Sequence, residues 1–419
     1  MTMKFPTVVL TAMLLSSTAM AQTEVSVLRV EIADEVQKNY YAGLATAYEK
    51  ANPDIKINLE YIANEAFKTK LPTLLQSDAR PDVFYSWSGL TLVEQAEAGF
   101  LRDISSLVSA ETLSAMSEGM VEAYRVNGEL VGLPLYAAEV VFWVNTALTE
   151  KAGVDHSTIK TWDDFLVAVK TMKDAGITPI VAGGQDKWPL HFYWSYLALR
   201  LGGADTLPAA TGGEGDGFLA EPFVKAGEKF QQLIELEPFQ PGFMSTTFET
   251  SNTLFSNEKG AFHLMGEWAY SAIQDQASQG APLTDDNLAV LSFPIVEGGA
   301  DSEGRVTLGG INGWAVTKDA PDEAVAYVEF MLEQENQRKA AELGIYIPIT
   351  EGAEDGIANP YFKKIAEDLS NSTYHQIFLD QFLGASVGAT VNDVSADLAA
   401  QVISPEEAAE QVQEAWDFR

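Results

Sequence analysis

From Val25 onward the chain switches repeatedly between a two-residue and a 3.6-residue hydrophobic period, which restricts its fold more than any other feature. "VSVLRVEIA" (Val25–Ala33) alternates apolar and polar positions, as a half-buried strand does. A helical pattern covers Glu35–Ala51 and stops at Asn52-Pro53, because proline restrains the residue before it and cannot continue the hydrogen-bond ladder. "DIKINLEYI" (Asp54–Ile62) is a second strand, the segment near Asn64–Gln76 a second helix, and Val83–Tyr85 a short buried strand. Parallel strands need a crossover helix, so this order predicts an α/β fold with a mainly parallel sheet.

Further along, "NGELVGLPL" (Asn127–Leu135) predicts a hairpin on an Asn-Gly turn, and "EVVFWVN" (Glu139–Asn145) a continuous β run. Thr161 with Asp164 three residues on predicts a capped helix ending at Gly176. "ITPIVAGG" (Ile177–Gly184) reads as a buried strand, and Pro189–Leu201 as a helix with proline at its first position. Helices fit 221–236, 246–257 and 266–277, strands fit Leu288–Ile295 and Val306–Thr317, and a long helix fits Asp322–Leu343. From about Pro360 the pattern is helical. A chain of 419 residues exceeds what one core holds, which predicts two lobes of about 200 residues each.

The first residues predict export. Lys4 precedes an apolar run, Val8–Leu15, and Ala19-Met20-Ala21 supplies the small-x-small pattern of a signal-peptidase site. The run is too short for a spanning helix. There is no cysteine, so neither a lipid anchor through an N-terminal cysteine nor a disulfide is expected. A freely diffusing periplasmic protein with residues 1–21 removed is the expectation. Sixty acidic residues against 26 basic give a net charge of −34. That balance disfavours nucleic acid and anionic membranes, and favours a soluble monomer.

Enzyme signatures are sparse. Thiol chemistry needs cysteine, and His156, His191, His263 and His375 lie far apart with no HExxH among them. No nucleophile elbow, phosphate-binding loop or dinucleotide fingerprint is present. Carboxylates are numerous enough that counting alone leaves a glycosidase open. In the Gly-rich loop 211–217, Glu214 and Asp216 lack the ligand spacing of a calcium motif, so a solvated turn is the expectation, and no metal or cofactor is predicted.

Aromatic placement is more telling. Tyr85 and Trp87 stand at the C-terminal end of a predicted strand, where α/β sheets hold ligands. Trp188 precedes a helix, Trp268 follows Gly266-Glu267, and Trp314 follows Gly313. A pyranose packs its C–H face on an aromatic plane while its hydroxyls take fixed polar partners. Within "DKWPLHFYW" the proline divides roles: rings 192–194 follow core spacing, whereas Asp186 and Trp188 sit in the loop entering the helix.

The order and spacing of "PDVFYSW…EAGFLRDIS", "NGELVGLPLYAAEVVFWVNTAL", "QDKWPL", "GAFHLMGEWAY", "GGINGWAV" and "DEAVAYVEFMLEQENQRKAAELG" resemble the family 1 extracellular solute-binding proteins of sugar ABC importers, the maltose-binding-protein type. The resemblance implies two α/β lobes, one from 22–138 plus 294–338 and one from 139–293 plus 339–419, closing on a ligand between them. It implies a carbohydrate ligand, ABC permease partners and no catalysis. It also implies ligand contacts from Tyr85, Trp87, Glu139, Asp186, Trp188 and Trp268, with Asn312 and Trp314 on the late strand. Ser88-Gly89 replace an acidic–basic pair and the second-lobe aromatic is Trp rather than Tyr, departures that count against a maltodextrin. The alternatives are a non-sugar solute such as a polyamine on the same fold, and a secreted glycosidase.

Overall fold

The computed structural model describes residues 22–31 and 34–419; the expected export signal lies outside them, as do Ile32 and Ala33. Strand β1 (Thr23–Val30) leads to helix α1 (Glu35–Ala51), β2 (Ile55–Ile62), α2 (Asn64–Leu75) and β3 (Val83–Ser86). β1 pairs in parallel with both β2 and β3. Asp34 opens α1 by accepting a 2.7 Å bond from the Gln37 N–H, and Asn52 closes it just before Pro53, so both ends fall where the sequence places them.

Two strands then organise the remainder. β4 (Gly132–Asn145) and β7 (Val306–Val316) are buried along their whole length. Gly132 to Glu139 of β4 pair antiparallel with β7, whose Gly313–Val316 also pair with β3. From Val140 onward β4 changes partners, to β5 (Phe262–Gly266) and β6 (Leu288–Leu291). β7 does the converse: its first residues, Val306–Gly309, pair with β8 (Tyr374–Ile377). The same two strands therefore belong to two α/β bodies. The glycines of "GGINGW" fit this close approach, because a Cβ on Gly309 would strike the Ala138 carbonyl and one on Gly313 that of Leu133.

Around the second body pack α3 (Trp188–Gly202), α4 (Phe248–Ser256) and α5 (Ala269–Ser278), with α6 (Gly384–Ala399) and a helix over Pro405–Asp417. α3 is buried on every side up to Arg200. Phe142, Phe165, Phe293 and Trp162 stack beside it, with Tyr196 against Phe293 at 4.5 Å. Arg200, 2 % exposed, pairs with Asp301 and donates to the carbonyls of Phe293 and Pro294, tying α3 to the segment that enters β7.

Three expectations change. Ile177–Gly184 is no continuous strand: the Gln240 side-chain amide takes both the N–H and the C=O of Ala182, replacing a neighbouring strand. The long helix breaks at Glu333 (φ −54°, ψ 138°) into 322–332 and 334–342. The C-terminal part includes β8, so it is not wholly helical. Among the described residues no helix is long and apolar enough to cross a membrane.

Removing one member of a buried ion pair leaves the other charged and unpaired, at about 3–5 kcal/mol. Asp301→Ala is therefore expected to lower unfolding free energy by about that amount in urea titration, whereas an exposed-pair change such as Asp174→Ala should cost under about 1 kcal/mol.

Candidate functional site

Where β4 and β7 pass between the two bodies, they floor a cavity of about 660 Å³. Its floor is the strand ends: Arg29 of β1, Tyr85 of β3 with Trp87 just beyond, Tyr136 of β4 and Asn312 of β7. Asn64 and Lys68 of α2 form one wall. Trp188 and His191 of α3, Phe248 and Asn252 of α4, and Trp268 with Ser271 of α5 form the other.

Backbone strain sets two of the indoles. Ser88, directly after Trp87, has φ 61° and ψ −152°, a conformation close to glycine-only territory, and Gly89 follows at φ 75°. Lys187, directly before Trp188, has φ 62° and ψ −46°, and the Trp188 N–H bonds the Asp186 carbonyl at 2.6 Å, which is the strained form of γ-turn. Each turn aims a tryptophan inward, and the Lys68 ammonium lies 5.8 Å from the Trp87 ring and 5.7 Å from the Trp188 ring. Trp268 folds back over Gly266, where any Cβ would meet its ring, and meets Phe378 edge-on at 5.8 Å.

The polar groups divide into committed and open ones. Asp380 faces Lys68 at 3.5 Å and His191 Nε2 at 3.6 Å; burial alone would raise its pKa, but the Lys68 ammonium, the His191 ring and the Asn392 amide hold it well below the usual carboxylate range. His191 Nδ1 shares a 3.0 Å bond with Ser195. Buried atoms without a protein partner include Arg29 Nε, Asp34 Oδ2, Trp188 Nε1 and Asn312 Oδ1. The Gln37 amide donates to Ser271 Oγ at 3.2 Å, joining α1 to α5 across the opening.

Of the residues singled out from sequence, the cavity brings together Tyr85, Trp87, Trp188, Trp268 and Asn312. Three others lie outside its lining. Trp314 is 1 % exposed and packs edge-on behind Tyr85 and Tyr41, so it supports a wall from within the core. Asp186 accepts the Phe248 N–H at 2.6 Å and thereby fixes the start of α4. Glu139 is 2 % exposed at the point where β4 changes partners; its N–H donates to Glu267 at 3.1 Å. Burial raises both carboxyls, Glu267 to about 8 and Glu139 well above its ordinary value.

Sequence reasoning missed Arg29, Lys68, Asn252 and Asp380, and set His191 aside. A signal existed for two of them. His191 stands three residues after Trp188 and so shares its helix face, and Arg29 falls on the strand face of Val25 and Val27, where an apolar residue is expected.

Two lobes sharing continuous strands, with a ligand-sized cleft between them, define a solute-binding protein. The chain belongs to the bacterial extracellular solute-binding protein family, whose model matches residues 33–338. It is similar to an uncharacterised ABC transporter extracellular-binding protein of Pyrococcus horikoshii (25 % identical over 56 % of this chain and 53 % of that one) and to the multiple sugar-binding protein of Streptococcus mutans (22 %, 55 % and 54 %). The chain thus spans about half the length of the first curated relatives it matches. The melibiose/raffinose/stachyose-binding protein of Bacillus subtilis aligns over 90 % of this chain and 85 % of its own, at 20 % identity. Among solved structures, one from work on xylan utilization by Caldanaerobius polysaccharolyticus superposes with TM-score 0.85 (24 % identity, 93 % and 99 % covered), and a chitin oligosaccharide binding protein with 0.83 (23 %, 94 % and 98 %). These likenesses establish the fold.

Glu267 keeps its proton to about 8 when folded, against 4.5 ordinarily. Its stabilising contribution is therefore full below about 4.5 and is lost as pH rises towards 8. Across that window the melting temperature of the wild type should fall more than that of Glu267→Gln; parallel curves would contradict the buried-acid reading.

Proposed function

We propose that this chain is a periplasmic binding protein that captures a mono- or oligosaccharide and delivers it to an ABC permease. One observation carries the reading: three indoles, Trp87, Trp188 and Trp268, line a single cavity together with buried, unpartnered polar atoms of Asn312 and Trp188. Indole faces suit the C–H face of a pyranose, and leaving such polar atoms empty costs about 1–3 kcal/mol each, which ligand hydroxyls offset. The names of relatives that bind multiple sugars or melibiose, raffinose and stachyose support the same ligand class. The pattern of Lys4, Val8–Leu15 and Ala19-Met20-Ala21 supports export.

Binding, not bond-breaking, is the proposed action. Asp380 is tied to Lys68 and His191, and Asp34 gives one oxygen to the first turn of α1, so neither is a free acid–base partner for a glycosidic bond. A polyamine is disfavoured as well, because Lys68 already fills the ammonium slot between Trp87 and Trp188. Closure follows from the two shared strands: ligand that touches both walls favours the closed arrangement over an open one.

Calorimetry with a panel of mono-, di- and oligosaccharides tests this. At least one sugar should bind, and Trp188→Ala and Trp268→Ala should each weaken it by about 1–3 kcal/mol, or roughly 5- to 150-fold. Tight binding of another solute class with no sugar bound would sink the reading.

A further inference from the structure

Arg29 enters the cavity as a charge without a counter-charge. Its side chain is 6 % exposed, its Nε has no partner, and among the described residues no carboxylate pairs with it. Aromatic rings surround it instead: the guanidinium lies 4.1 Å from the Tyr41 ring and 5.6 Å from that of Tyr85, whose hydroxyl is bonded to Tyr136 at 2.6 Å. Ring faces attract a cation by roughly 1–2 kcal/mol. Taking a charge out of water costs several kcal/mol, so the rings leave much of that cost standing. The guanidinium lines the cavity, where a ligand's counter-charge can reach it.

The acids around the same cavity do not serve it. Asp380 is held by Lys68, His191 and Asn392, and Asp34 spends Oδ1 on the Gln37 N–H. Glu31 and Glu249 sit exposed at the rim, and Asp275 is only half-buried. Asp34 keeps one open oxygen suited to a ligand hydroxyl. A planar guanidinium at the floor of an indole-lined cleft matches one ligand chemistry closely: a sugar ring carrying a carboxylate, which it can bind through two parallel N–H···O bonds.

We propose that the cleft is selective for acidic sugars, namely uronic acids or oligosaccharides bearing a uronate, with Arg29 as the residue that takes the carboxylate. This rests on the carbohydrate reading above and sharpens it. Neutral sugars would satisfy the tryptophans and Asn312 but leave the guanidinium without a counter-charge.

The test compares isosteres on the full mature chain by calorimetry: glucuronate against glucose, galacturonate against galactose, and digalacturonate against galactobiose. Succinate and glucose 6-phosphate serve as non-sugar and non-carboxylate anions. Close charge pairs in interfaces couple strongly, so at least one uronate should bind about tenfold or more tighter than its neutral partner. Arg29→Gln should bring the ratio of uronate to neutral-sugar affinity close to one, and Arg29→Lys should keep part of the preference. The wild-type comparison stands even if neither variant folds. Equal or tighter binding of the neutral partners would overturn the proposal and leave the carbohydrate reading intact, as would a preference for glucose 6-phosphate over glucuronate. Succinate binding as tightly as every uronate, or binding of no sugar at all, would overturn both.

Discussion

The antiparallel pairing of β4 with β7 is the constraint on which the rest of the molecule depends. Each strand is buried on both faces, and each exchanges neighbours partway along its length, β4 at Glu139–Val140 and β7 at Gly309–Gly310. A single ladder thereby joins two bodies and leaves the gap between them floored by strand rather than by loop. Glycine at 309 and 313 lets the two backbones approach, and Arg200 with Asp301 secures the entry to β7 from the side of α3. The Glu139 N–H bonds the Glu267 carboxyl at the same changeover, and burial there raises the pKa of both side chains.

That rigid floor explains how the cleft can hold strained turns. Ser88 and Lys187 adopt conformations costing on the order of 1–3 kcal/mol each, and each neighbours a tryptophan that lines the cavity. The walls supply breadth and the floor supplies polarity. Trp188 at the start of α3 and Trp268 beside α5 line one wall and Trp87 lies just beyond β3, while Arg29, Tyr136 and Asn312 present polar atoms from below. Such division suits a ligand with apolar faces and polar edges, which is the geometry of a sugar ring.

Periodicity made much of the fold legible, because local pattern and burial agree over long stretches. α1, α2, the Thr161-capped helix and the Asn127-Gly128 turn all fall where their residues place them. Legibility failed where a side chain stood in for backbone, as Gln240 does for a strand beside Ala182, and where a short segment gained its structure only from a distant partner, as β8 does from β7. The site divided in the same manner. Tryptophans beside glycine or proline were visible as site residues, yet Trp314, equally beside a glycine, is buried in the core against Tyr41 and Tyr85 and lies outside the cavity lining. Lys68 and Asp380 lie 312 positions apart and meet only through the fold, which no local pattern encodes.

The proposed function requires the two bodies to close over a solute about the shared strands. Small-angle X-ray scattering of the mature protein, with and without a saturating sugar identified by calorimetry, tests it most directly. A smaller radius of gyration is expected with ligand, and no decrease at the same sugar concentration when Trp188 and Trp268 are both replaced by alanine. An unchanged radius on binding that calorimetry shows to be saturated would contradict it.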